Sequence, residues 1–181
     1  MSKMKKISLT VLVILMTAVL AYAIESPKEM KDLKTEFLCE LKADLVLPPQ
    51  LVGQGPHGTR MIVNISGGTI EGPKLNGKLL PGADYVLIRP DGATQLDVRG
   101  EILTHDGKLI YMQYRGISVL TPATNHRLSM GEPLEQLEYQ YHMVPIFETG
   151  AEEYRWLNKV VAVGVGMQAK NFMSYKIYVI R

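Results

Sequence analysis

The stretch TQLDVRGEIL, Thr94 to Leu103, places ionisable groups at alternate positions. Asp97, Arg99 and Glu101 fall on one side of an extended chain, and Leu96, Val98 and Ile102 on the other. Neighbours on one face of a strand lie about 7 Å apart. A carboxylate and a guanidinium held at that spacing can grip a polar ligand or move a proton. The pattern recurs: Arg60 and Asn64 share a face of one segment, and Tyr111 and Gln113 share a face of another. Asp84 opens the run DYVLIR. A last cluster, PIFETGAEEYRWLN, gathers Phe147, Tyr154, the single tryptophan Trp156 and Asn158.

What these groups can do depends on where they point. On an outer surface an ion pair contributes only about 0–1 kcal/mol. Inside a closed structure each charge must be paired or fully hydrogen-bonded, because desolvation costs several kcal/mol. Spacing alone favours the solvated placement, since charged residues are rarely buried. The aromatic cluster has two readings as well. It seals the end of a core, or it forms one wall of a binding site with Asn158 orienting the ligand.

Other chemistries find little support. His57, His105, His126 and His142 are scattered, with no H-E-x-x-H and no paired cysteines, so no metal site is expected. No Walker loop or G-x-S-x-G elbow occurs. GVGMQA, Gly164 to Ala169, matches a dinucleotide fingerprint in form, but strand-like sequence surrounds it where a helix should open. Its glycines are better read as points where a strand bends or meets a neighbour closely. No cofactor is expected.

The elements that must position these residues are strands. EFLCELKADLV has period two, with Phe37, Cys39, Leu41, Ala43 and Leu45 on one face. Further strands are expected over 59–65, 84–89, 94–104, 108–118, 137–144, 160–167 and 174–180, with RPDG and THDG as tight turns. Glycines at 67, 68, 72, 77 and 82 are expected to break the chain before Asp84 into short pieces. Ser26-Pro27-Lys28-Glu29 carries the signals of a helix start, so a short helix is predicted within residues 24–35. Residues 121–136 form the one long connection, either a mobile loop or a lid. About eight or more antiparallel strands in one all-β domain, 36–181, suggest a closed barrel able to hold one small ligand.

Residues 1–23 have the form of a secretory signal: Lys3, Lys5 and Lys6, an apolar centre, then Ala21-Tyr22-Ala23. The apolar centre is shorter than the about 20 residues a spanning helix needs. Cleavage after Ala23 is therefore expected, with a periplasmic or secreted product and no stable membrane insertion. Without the three leader lysines, 17 basic residues face 18 acidic ones, so no basic surface argues for nucleic acid. Cys39 is the only cysteine, which excludes an intrachain disulfide.

Three segments together resemble the family known as domain of unknown function 3237. They are LVGQGPHGTRMIVNISGGTIEGPKLNGKLLPGADY, RPDGATQLDVRGEILTHDGKLIYMQYRG and PIFETGAEEYRWLN. The resemblance implies a compact, lipocalin-like antiparallel barrel and no settled reaction. It also implies that some of Arg60, Asp84, Asp97, Arg99, Tyr111, Trp156 and Asn158 line a shared pocket. Tyr85 stands where the family leads one to expect tryptophan.

Three functions compete. The first is a binding barrel for a small, partly aromatic or anionic molecule, held by Arg60 and Arg99 and contacted by Tyr111, Trp156 and Asn158. The second is an enzyme doing hydration, elimination or isomerisation, with Asp84 or Asp97 as base and Tyr111 as acid. The third is a structural role in which the barrel meets another copy of itself or a partner. A carboxylate and a tyrosine converging in a cavity would favour the enzyme, and a deep cavity poor in titratable groups the carrier.

Overall fold

The computed structural model describes residues 32–132, 134 and 139–181. The expected leader and residues 24–31 of the expected N-terminal helix lie outside them. Residues 32–34 are not helical, and the first strand begins at Thr35.

Ten strands follow: β1 (Thr35–Leu45), β2 (Gln50–Gly55), β3 (Gly58–Glu71), β4 (Gly77–Leu79), β5 (Gly82–Ile88), β6 (Thr94–Thr104), β7 (Leu109–Leu120), β8 (Tyr139–Glu148), β9 (Ala162–Gln168) and β10 (Phe172–Ile180). Eight of them close an antiparallel ring in the order β1-β3-β5-β6-β7-β8-β9-β10, with β10 pairing back onto β1. The short β2 and β4 flank β3 and were not apparent from the sequence. The barrel expectation holds, with these two strands added.

Alternation drives the closure. Cys39, Leu41 and Ala43 of β1, Ile110 and Met112 of β7, Met143 and Phe147 of β8, and Ile177 and Val179 of β10 all bury their side chains in one core. Each such side chain contributes roughly 1.5–3 kcal/mol by leaving water. A bulge between Phe37 and Cys39 shifts the register of β1, turning Phe37 outward and burying Leu38 instead.

Two glycines expected to interrupt the chain instead let it run on. Thr59–Ile65 of β3 pairs with β5, and the stretch from Ile65 to Glu71 pairs with β1. Between these partners the strand passes through Gly67 and Gly68 at φ +146° and +158°. A Cβ on Gly68 would lie 1.9 Å from the Lys42 carbonyl oxygen, so the corner of the barrel requires glycine. Pro145 lies inside β8 and not beyond its end. β8 pairs with β9 only at His142 and Met143, so no ladder donor is lost at Pro145 on that side.

The two ends of the barrel differ. At one end, a 3-10 helix, Glu152–Lys159, buries Tyr154 and Leu157 against Phe147, with Trp156 packed partly buried beside them. Asn158 clamps the adjoining turn: its Nδ2 donates to Thr149 O and its Oδ1 accepts from Thr149 N, both at 2.9 Å. Tyr154 Oη donates to Asp106 Oδ1 at 3.0 Å. The other end carries the Arg89–Ala93 turn and helix α1, Pro122–Met130, within the long connection. Thr121 caps α1 with a 3.1 Å bond from Thr124 N, Pro122 follows, and Gly131 closes it at φ +81°. That connection is therefore not simply a loop; its cap, proline and terminal glycine were a legible helix signal.

Replacing Gly68 by alanine is expected to lower the melting temperature by roughly 4–10 °C, from strain and displacement at the β1–β3 seam. Differential scanning calorimetry checks this. An unchanged transition would mean that the seam can shift to accept a side chain.

Candidate functional site

A cavity of about 260 Å³ opens at the α1 end of the barrel. Its walls are mainly apolar, including Met61, Val63, Val86, Leu96 and Met173. Seven polar side chains share the lining: Asp84, Thr94, Tyr114, Asn125, Tyr141, Gln168 and Tyr175. Among the described residues no lysine, arginine or histidine lines it. A cavity of this size, apolar with a few convergent polar groups, suits one small molecule.

Asp84 reaches the lumen because β5 alternates: Asp84, Val86 and Ile88 point in, and Tyr85 and Leu87 point out. Burial pushes its carboxyl up to about 6. The Asp97 backbone N–H, donated to Asp84 Oδ1 at 3.0 Å, opposes that rise, as does the Arg60 charge, while the Asp97 charge adds to it. The β5–β6 ladder explains the contact. Asp84 pairs with Val98 and Leu87 with Gln95, but the two positions between form no ladder pair. There Asp84 takes the Asp97 N–H, and Arg60 Nη1 donates to the Tyr85 carbonyl oxygen at 2.5 Å from the outer side. Two side chains of opposite charge thus satisfy the two backbone groups that the open ladder leaves free.

Three tyrosines share the lumen. The Tyr114 and Tyr175 rings meet edge to face with centroids 5.5 Å apart. Tyr141 donates its hydroxyl to Gln168 Oε1 nearer the mouth. Burial raises all three phenols, Tyr141 up to about 12. The charge of Asp84 raises each further, which places the carboxylate within electrostatic reach of all three. The Tyr175 residue is only 1 % exposed. The Tyr114 and Tyr175 hydroxyls influence each other's ionisation, yet among the described residues no atom meets hydrogen-bond geometry at Tyr175 Oη.

Of the residues singled out in the sequence, Asp84 alone lines this cavity. The ionic face of β6 is on the exterior, not in the lumen. Asp97 and Arg99 pair there at 3.5 Å with side chains 31 % and 45 % exposed, and Arg99 lies 6.0 Å from the centre of the Tyr85 ring. Arg60, Tyr85 and Asp97 border a wider groove of about 930 Å³ on the outer face, floored by Leu87, Ile117 and Val165. Tyr111 donates to Gln113 Oε1 at 3.2 Å, also on the outward side of β7. Trp156 and Asn158 belong to the sealed end, so the end-sealing reading of their cluster describes what they touch. Among the described residues no group of His, Cys, Asp and Glu could hold a metal ion.

The residues missed were Tyr114, Tyr141, Tyr175, Gln168 and Asn125. The tyrosines carried a readable signal, because each occupies the apolar parity of its strand: Tyr114 with Ile110 and Met112, Tyr141 with Met143 and Phe147, Tyr175 with Met173 and Ile177. A hydroxyl among inward-facing aliphatics was the better pointer to the lumen than a charge on the opposite face.

Because the folded carboxyl titrates near 6 against an ordinary 3.8, the folded chain holds a proton that the unfolded chain has released between those values. Asp84 therefore lowers stability as pH rises from about 4 to 6, by on the order of 3 kcal/mol once fully ionised. Asp84→Asn is expected to raise the melting temperature at pH 8 and to leave it nearly unchanged at pH 4. A shift equal at both values would remove Asp84 from the buried, titrating role.

The family described as "Protein of unknown function (DUF3237)" matches residues 33–180. A UPF0311 protein of Clostridium acetobutylicum is 31 % identical over 132 residues, covering 72 % of this chain and 84 % of that one. A conserved protein of unknown function from Rhodopseudomonas palustris has a similar crystal structure, with TM-score 0.78 and 27 % identity over 84 % of this chain and all of that one. A beta-barrel like protein from Acinetobacter baumannii superposes with TM-score 0.75 and 32 % identity, over 86 % of this chain and all of that one. The ring of eight strands and the span of the match carry one conclusion: the chain belongs to the DUF3237 family of β-barrel proteins of unknown function.

Proposed function

We propose that the lumen binds a small, neutral, largely apolar molecule and that Asp84 acts on it as a general base. The observation that carries this is a carboxylate raised to about 6 inside the cavity, with three tyrosines around it and no cation in the lining among the described residues. A base near neutral pH is both ionised and strong enough to take a proton. An anionic ligand fits poorly, because Asp84 repels it and neither Arg60 nor Arg99 enters the cavity. The neutral ligand thus replaces the anion considered from the sequence. A carrier with the same cavity is the second reading, favoured by the mainly apolar walls.

Titration with 4-methylphenol and with 4-methylbenzoate, followed by NMR, tests this. The neutral phenol is expected to bind about tenfold tighter at pH 8 than at pH 5, where Asp84 can no longer accept its O–H as a charged partner. The benzoate should not bind, and Asp84→Asn should flatten the pH dependence. Pocket binding with no response to pH or to Asp84→Asn would leave the carrier reading and end the catalytic one.

The leader also supports export to the periplasm or the medium, which we include in the proposal. Amino-terminal sequencing of the protein recovered from cells is expected to begin at Ile24. A chain beginning at Met1 or Ser2 would place it inside the cell.

A further inference from the structure

Resting on that reading of the lumen, we infer that Tyr175 and Tyr114 form an oxyanion-binding pair, which makes the substrate a neutral carbonyl compound with an acidic C–H beside the carbonyl. The Tyr175 hydroxyl is the central observation. It belongs to a residue 1 % exposed that borders the cavity, and among the described residues no atom, that of Tyr114 included, meets hydrogen-bond geometry with it. A buried donor left unsatisfied costs roughly 1–3 kcal/mol, and such a cost is commonly recovered when a ligand supplies the acceptor. Tyr114 stands beside it, edge to face, and lines the same cavity.

The position of Tyr175 is built into the wall. Gly166 on β9 faces its ring, and a Cβ there would lie 2.3 Å from the Tyr175 ring carbon Cε1. The ring is therefore pressed against bare backbone, which restricts the direction of its hydroxyl. Within the Gly164–Ala169 stretch Gly166 thus makes room for Tyr175, as Gly164 does for Met143.

The pair suits one developing negative charge on a neutral substrate and little else. A phosphate or carboxylate would meet Asp84 with no cation among the described residues of the lining to offset it. Both phenols are held above their ordinary range by burial, so they donate hydrogen bonds and keep their protons. Hydroxyls of that kind stabilise an oxyanion without becoming ionised themselves.

The step balances without a co-reactant. Asp84 takes the proton from the carbon next to the carbonyl. The C–H electron pair becomes a C=C bond, and the carbonyl π pair moves onto oxygen. The enolate oxygen accepts from Tyr175 and Tyr114. Asp84 then returns the proton to the same carbon, giving exchange or epimerisation, or to a conjugated carbon, moving a double bond.

Two probes test this on the full folded chain. 4-Nitrophenol, largely ionised at pH 8, imitates the enolate, and its absorbance reports whether it is bound as phenolate. Asp84→Asn, which mimics the base after proton transfer, is expected to bind the phenolate at least about tenfold tighter than the native chain. Adding Tyr175→Phe or Tyr114→Phe, which keep the rings, should each weaken that binding about tenfold and reduce the phenolate signal. In heavy water, the native chain should speed deuterium uptake into 2-indanone above the buffer rate, and Tyr175→Phe should lower that rate by about 100-fold or more.

Binding of 4-methylphenol with no tyrosine dependence in the phenolate or exchange measurements overturns the oxyanion pair and leaves the base in place. Failure of 4-methylphenol to bind the native chain overturns the reading of the lumen and this inference with it.

Discussion

Between β5 and β6 the barrel wall gives up a backbone bond and replaces it with charge. Tyr85 offers a carbonyl and Asp97 an N–H across a ladder that pairs on either side of them and not between. Arg60 takes the first from outside, and Asp84 takes the second from inside. Neither backbone group could stay unpaired in a sheet without penalty. A carboxylate can sit in an apolar lumen here because the wall itself supplies a donor, with a guanidinium charge on the far side. The site depends on this exchange, and so does the continuity of the sheet past it.

The same arrangement accounts for the division of labour between the two faces. Charges that water can reach, such as Asp97 and Arg99, pair loosely at 3.5 Å and stabilise little. Among the described residues that line the lumen, one ionisable carboxyl is surrounded by groups that stay neutral. Low polarity strengthens every interaction made there, which raises the cost of ionising Asp84 and sharpens what it can do to a bound proton. The closed end, stapled by Asn158 on Thr149 and by Tyr154 on Asp106, leaves the α1 end as the place where the cavity opens.

Much of the barrel was legible in the residues, and the site was not. Period-two alternation in β1 and β6 and the Asp-Gly turns led to strands and hairpins that the barrel contains. Gly67 and Gly68 were misread because a glycine in a strand looks like a break until the partner change that needs it is known. Phe37 and Leu38 exchanged sides for a similar reason: a one-residue bulge inverts parity, and no local preference marks it. For the site, the charged side of β6 and the polar side of β7 drew attention because such groups can do chemistry. Charge, however, is what the lumen mostly refuses.

The sequence alone determined an all-β chain of alternating strands and tight turns that buries its apolar parity, because period two and turn residues are properties of neighbours along the chain. It also determined membership of a family through the order of its segments. Only the tertiary structure decided which lone acid falls on the inner parity beside three tyrosines from β7, β8 and β10. That is a matter of register between strands far apart in sequence, and of one missing ladder pair, neither of which any single strand encodes.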